Sequence, residues 1–77
     1  MEYDLRITVM GLGYIGLPTA ALLANRGYRV HGVDVQENVV EIINRGEIHI
    51  VEPDLDSFVR SAVGTGNLTA HREPPEA

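Results

Sequence analysis

Apolar and polar positions follow two rhythms along this chain. Arg6-Ile7-Thr8-Val9-Met10 is a short run rich in β-branched residues and stopped by Gly11, which predicts a strand buried on both faces. From Tyr14 to Arg26 the residues are helix formers, with Gly16, Ala20, Leu23 and Gly27 on one face at i, i+4, i+7 and i+11. Pro18 lies at the edge of the first turn, and Gly27 is the expected C-terminal stop. Arg29-Val30-His31-Gly32-Val33 predicts a second strand ending at Asp34. A second helix is expected from Glu37 to Arg45, with Val39, Ile42 and Ile43 inward, Glu41 paired with Arg45 and Gly46 as the stop. Glu47 to Glu52 reads as an extended linker. Pro53 then opens a third helix with Asp54 and Asp56 in its first turn and a buried stripe of Leu55, Phe58, Val59 and Ala62. Gly64-Thr65-Gly66-Asn67 is a turn, Leu68-Thr69-Ala70 a short third strand, and Pro74-Pro75 ends regular structure.

The order strand, helix, strand, helix defines an α/β chain, a Rossmann-type β-α-β-α unit with parallel strands. Its 77 residues leave room for one small domain of marginal stability. A composition of 44% hydrophobic and 22% charged residues is that of an ordinary globular chain. No apolar run nears the roughly 20 residues that a membrane-spanning helix needs. Met1 to Arg6 lacks the basic start and long apolar stretch of a secretory signal, so a cytoplasmic location is expected. Cysteine is absent, which excludes disulfides, thiolate metal ligands and a thiol nucleophile. The formal charge of -5 argues against nucleic acid or anionic lipid as partners. An anionic ligand must then be held locally, by backbone N–H groups at a helix start.

Such a start exists. Gly11-Leu12-Gly13-Tyr14-Ile15-Gly16 is a G-x-G-x-x-G between the first strand and the first helix, and Asp34 stands at the end of the second strand. Gly11 permits the tight turn, Gly13 carries no Cβ to hold the backbone off a pyrophosphate, and Gly16 lets the helix press on the sheet. The N–H groups around Gly13, Tyr14 and Ile15 are placed for phosphate oxygens. The Asp34 carboxylate is placed for the hydroxyls of an adenosine ribose, where its charge would repel the 2′-phosphate of NADP. The expected cofactor is therefore NAD, held by Gly11, Gly13, Tyr14, Ile15, Gly16 and Asp34. In the plainer alternative the glycines serve only turn and packing.

The run Val9-Met10-Gly11-Leu12-Gly13-Tyr14-Ile15-Gly16-Leu17-Pro18-Thr19-Ala20 resembles the start of the UDP-glucose and UDP-mannuronate dehydrogenase family. The linker Asn44-Arg45-Gly46-Glu47-Ile48-His49-Ile50-Val51-Glu52-Pro53-Asp54-Leu55 is similar to that of the branch acting on UDP-N-acetyl-D-mannosamine. The resemblance implies a nucleotide-sugar 6-dehydrogenase that oxidises UDP-N-acetyl-D-mannosamine to the uronate with two NAD, with UDP-glucose as the alternative substrate. It implies cytoplasmic enzymes of polysaccharide biosynthesis that form homo-oligomers. The family's catalysis uses cysteine, lysine and asparagine helpers in later parts of a longer chain. Cysteine and lysine are missing here, so residues 1–77 are expected to be a partial N-terminal NAD-binding domain, the first part of a doubly wound fold. No catalytic residue is assigned, and the isolated chain is expected to be inactive, a dinucleotide-binding fragment. In the doubly wound order the first strand sits in the middle, between the second strand and one expected beyond residue 77, so here one of its sides would be an unpaired edge, with self-association as the expected result. A flavoprotein would place glutamate at the end of the second strand, and a 3-hydroxyacid dehydrogenase would lack the linker pattern.

The remaining polar residues carry less. His31 alternates with Val30 and Gly32 and reads as a core-edge residue, while His49 and His71 have no second histidine at metal spacing. Glu47, Glu52, Asp54 and Asp56 are explained by solvation and by helix capping, so no metal is expected. The Tyr14 ring is expected to shield the cofactor.

Overall fold

The computed structural model describes residues 5–75. The elements are β1 (Arg6–Met10), α1 (Gly16–Asn25), β2 (Arg29–Val33), α2 (Glu37–Asn44), α3 (Leu55–Gly64) and β3 (Leu68–His71). The strands form one parallel sheet in the order β1-β2-β3, which is the 3-2-1 half of a doubly wound order, and β1 lies at an edge of the described sheet. In register, Ile7 stands opposite Val30 and Val30 opposite Leu68. The next row facing the same way is Val9, Gly32 and Ala70. The core lies on this side, where Val30, Leu68 and Ala70 meet Leu17, Ala20, Ala21 and Ala24 of α1, Val39 and Ile43 of α2, and Leu55, Val59 and Ala62 of α3.

The opposite face explains one correction. Arg6, Thr8 and Met10 are exposed and Ile7 and Val9 only partly covered, so β1 is not buried on both faces. The helical face of α1 is also rotated from expectation. Leu17, Ala20, Ala21 and Ala24 are buried, at i, i+3, i+4 and i+7, while Leu23 is only partly so. Alanines let α1 sit close to the sheet, and a stripe of small residues shows little hydrophobic contrast from which to read its direction.

Both glycine stops work by the same geometry. Gly27 has φ +101°, and the N–H groups of Gly27 and Tyr28 donate to the carbonyls of Ala24 and Leu23 at 3.0 and 3.2 Å. Gly46 has φ +76°, with Gly46 and Glu47 donating to Ile43 and Ile42 at 2.8 and 3.1 Å. These are Schellman closures, which pair the last orphan carbonyls of each helix. Arg45 is the cap residue of α2, so its side chain meets Glu47 at 3.4 Å rather than Glu41 as expected.

The entry to α3 departs from expectation as well. Leu55 N–H donates to the Glu52 carbonyl at 3.2 Å, and Asp54 has φ +65° and ψ -3°. Pro53 and Asp54 thus form the centre of a type II turn, and of the two aspartates only Asp56 lies in the helix's first turn. Phe58 is 55% exposed and leaves the predicted buried stripe. It lies instead beside Pro18 and Leu22 on a shallow apolar groove between α1 and α3.

Asparagines tie the layers together. Asn44 at the end of α2 donates from Nδ2 to the Ala70 carbonyl at 2.9 Å and accepts the Ala70 N–H at Oδ1 at 2.8 Å. Asn67 Nδ2 reaches the Ala24 carbonyl at 3.2 Å, and Asn25 Nδ2 the Phe58 carbonyl at 3.1 Å. Among the described residues no helix is long and apolar enough to cross a membrane.

Candidate functional site

The turn between β1 and α1 is built from its glycines upward. Gly11 has φ +87°, a conformation that an L side chain resists, and its N–H donates to the Val33 carbonyl at 2.7 Å. The chain is therefore pinned to the end of β2 as it leaves β1. A Cβ on Gly16 would overlap the Gly11 carbonyl oxygen and stand 3.5 Å from Val9 Cγ1, so the start of α1 presses on the turn and on the sheet behind it. A Cβ on Gly13 would meet nothing within 4 Å. Its lack of a side chain is no packing requirement and leaves the outer surface of the turn open.

The N–H groups of Gly13, Tyr14, Ile15 and Gly16 have no acceptor among the described residues. They belong to the turn that leads into α1 and to its first residue, Gly16, and the helix start offers them nothing, since its first turn carries no acidic side chain and its cap position, Ile15, has no side-chain acceptor. Four consecutive donors at the positive end of a helix dipole suit an anion. Tyr14 and Ile15 are 63% and 84% exposed beside them, which leaves their side chains free to lie along a ligand. In this protein α1 begins at Gly16 rather than Tyr14, so Tyr14 and Ile15 belong to the turn.

Asp34 closes the other side of the site. Its Oδ2 accepts the Leu12 N–H at 3.1 Å and its Oδ1 the Gln36 N–H at 3.0 Å, so the carboxylate is fixed against both the glycine turn and the start of α2. Each oxygen keeps a further lone pair for a ligand hydroxyl. The predicted residues Gly11, Gly13, Tyr14, Ile15, Gly16 and Asp34 are thus brought together at the carboxyl ends of β1 and β2, where open α/β sheets bind ligands. These residues fit the phosphates and ribose of a dinucleotide.

Two features were missed from sequence. Leu12, a free position of the motif, is fully buried, and an apolar residue between two loop glycines was the signal for it. His31 and His71, treated as isolated, are stacked with ring centroids 3.7 Å apart and 8° between planes. His31 Nε2 lies 3.1 Å from the Glu73 carbonyl oxygen, and His71 Nε2 2.8 Å from Thr69 Oγ1. The His71 pKa is lowered, first by burial and then by the neighbouring His31. Face-to-face rings do not converge on one ion, and no group of three or more candidate metal ligands occurs among the described residues.

A glycine turn, a helix start with free donors and an acid at the next strand's end define a dinucleotide-binding β-α-β unit. Comparison with known proteins gives the family. The model of the NAD-binding domain of the UDP-glucose/GDP-mannose dehydrogenase family matches residues 5–77, and the chain belongs to that family as its NAD-binding domain. It is 61% identical to UDP-N-acetyl-D-mannosamine dehydrogenase of Escherichia coli over 92% of this chain and 17% of that protein. It is 56% identical to NDP-N-acetyl-D-galactosaminuronic acid dehydrogenase of Ralstonia nicotianae over 100% of this chain and 18% of that protein. Among solved structures, GDP-mannose dehydrogenase of Pseudomonas aeruginosa superposes with a TM-score of 0.87 at 39% identity, covering 90% of this chain and 16% of that one. The chain therefore spans about a sixth of the length of the relatives it matches. The family is one of NAD-dependent oxidoreductases acting on nucleotide sugars.

Proposed function

We propose that this chain holds the adenosine and pyrophosphate part of NAD for a UDP-N-acetyl-D-mannosamine 6-dehydrogenase. The observation that carries the cofactor half is the run of four unpaired N–H groups from Gly13 to Gly16 beside the fixed carboxylate of Asp34. The N–H groups of Gly13, Tyr14, Ile15 and Gly16 bind the pyrophosphate. Gly11 and Gly16 keep the turn tight, and Asp34 accepts the ribose hydroxyls. The bound nicotinamide supplies the hydride acceptor, and this chain's residues orient the opposite end of the cofactor. Identity of 61% to the E. coli dehydrogenase supports the sugar, with oxidation to the uronate consuming two NAD.

The reacting residues lie elsewhere on this reading, so residues 1–77 form one partial domain that is inactive by itself, and the whole enzyme is a cytoplasmic homo-oligomer. A second reading takes an N-acetylgalactosamine nucleotide as substrate, favoured by 56% identity across the full chain to the Ralstonia relative. Calorimetric titration with NAD and NADP tests the cofactor half. NAD binding and NADP rejection are expected, with Asp34→Ala weakening NAD about tenfold, the scale of one charge-assisted hydrogen bond. Equal binding of both cofactors, or an unaffected Asp34→Ala variant, refutes the assignment. NADH production by this chain alone with UDP-N-acetylmannosamine would refute the placement of the chemistry.

A further inference from the structure

Leu12 is joined to β2 and to Asp34, the residue just past the end of that strand. Its side chain is fully buried and fills the hollow beside Gly32, where a Cβ would stand only 2.9 and 3.1 Å from Leu12 Cδ2 and Cδ1. Its backbone N–H donates at 3.1 Å to Asp34 Oδ2, two residues further along the chain from Gly32. The preceding residue, Gly11, is held to the Val33 carbonyl at 2.7 Å. The glycine turn is thus seated on β2 by a plug and a hydrogen bond belonging to one residue.

We infer that Leu12 and Gly32 are a positioning pair for the dinucleotide. This rests on the reading that the turn takes a pyrophosphate and Asp34 a ribose. The depth to which Leu12 sinks over Gly32 sets the height of the donors that follow it, from Gly13 to Gly16. The same depth decides whether the Leu12 N–H reaches Asp34. That hydrogen bond leaves the carboxylate oriented before any ligand arrives, so its ordering cost is met in folding rather than in binding. A methyl group at Gly32 presses on the Leu12 Cδ atoms, and because Leu12 is fully buried in a close-packed core its side chain cannot swing freely aside, so part of the displacement passes to a backbone whose hydrogen bond is already 3.1 Å long. Neither residue touches the ligand. Both act through the turn and through Asp34.

The test joins NAD calorimetry to the amide NMR signal of Leu12, in the 77-residue chain. Gly32→Ala is expected to weaken NAD binding about tenfold and to lose the downfield shift and exchange protection of the Leu12 amide. Adding Leu12→Val, which lacks the colliding Cδ atoms, should restore both. A role confined to stability would lower the melting midpoint without this paired loss and rescue. Unchanged NAD affinity in folded Gly32→Ala overturns the inference, as does a double variant that regains neither readout. Failure of the unmodified chain to bind NAD would count against the cofactor reading alone. The Leu12 amide in the same variants would still decide the inference, and an undisturbed signal in Gly32→Ala refutes it. Should Gly32→Ala not fold, Leu12→Ala removes the plug without adding bulk. Loss of amide protection with weaker NAD binding then supports the pair, and retention of both overturns it.

Discussion

Asn44 closes the outer edge of the sheet, and its removal gives a sharp test of how this small fold is held. Ala70 is 2% exposed and sits on β3 with its N–H and carbonyl turned away from β2. The Asn44 amide pairs with both, at 2.8 and 2.9 Å, as a neighbouring strand would. Substitution by alanine deletes two hydrogen bonds, each with a net worth of ~1 kcal/mol, and leaves two backbone groups in need of partners. Because Asn44 is itself exposed, water reaches part of the vacated space, and the cost stays near ~2 kcal/mol rather than the larger penalty of full burial. A domain of this size has about 4 to 11 kcal/mol of stability in total, so the change is large. The assay is urea unfolding followed by circular dichroism. The midpoint should fall by ~1 to 2 M at constant slope, and the melting temperature by ~8 to 16 °C. Asn44→Asp keeps an acceptor for the Ala70 N–H but sets an oxygen against the Ala70 carbonyl, and should be no more stable than the alanine variant. A loss below ~0.5 kcal/mol for Asn44→Ala, the range of ordinary surface substitutions, would show that the bridge contributes nothing beyond what water supplies.

Two further outcomes follow from the same physical reading. Gly27→Ala places a Cβ at φ +101° and should cost ~1 to 2 kcal/mol, whereas Gly64→Ala in the last turn of α3, with open space around its Cβ, should gain ~0.5 to 1 kcal/mol, both checked by denaturant titration. Folding holds the His71 pKa below 6.5, first by burial and then through His31. The unfolded chain therefore takes up this proton more readily, and the contribution is complete above pH 6.5 and declines as pH falls through the lower folded value. Unfolding midpoints across this range should show the decline, and His71→Phe, which keeps a stacking ring, should flatten it.

The elements that were easiest to read from sequence are those bounded by glycine. Gly11, Gly27 and Gly46 each adopt a positive φ, and each ends its element within a residue or two of the expected place. Backbone chemistry of this kind is local, so a single chain displays it. The errors concern direction. Periodicity places Phe58 beside Leu55 and Val59, but whether the end of that stripe lies in the core or on a groove rim depends on the angle at which α3 meets α1. The apolar run of β1 suited burial on both faces. Its actual exposure follows from all the described helices lying on one side of the sheet.

The site was legible for the same reason as the stops and incomplete for the same reason as the faces. Gly11, Gly13, Gly16 and Asp34 announce themselves because a turn, a close approach and a strand end each demand a residue type. Leu12 and Gly32 act only as a pair across two strands, and a motif written along the chain records one as a free position and the other as a strand residue. The pairing of His31 with His71 is hidden similarly, since it arises from the register that sets His31 against Thr69 and Val33 against His71. Register depends on which strands are neighbours. Once the order β1-β2-β3 is given, the stack, the Asn44 bridge and the Leu12 plug are all consequences of residues already in view.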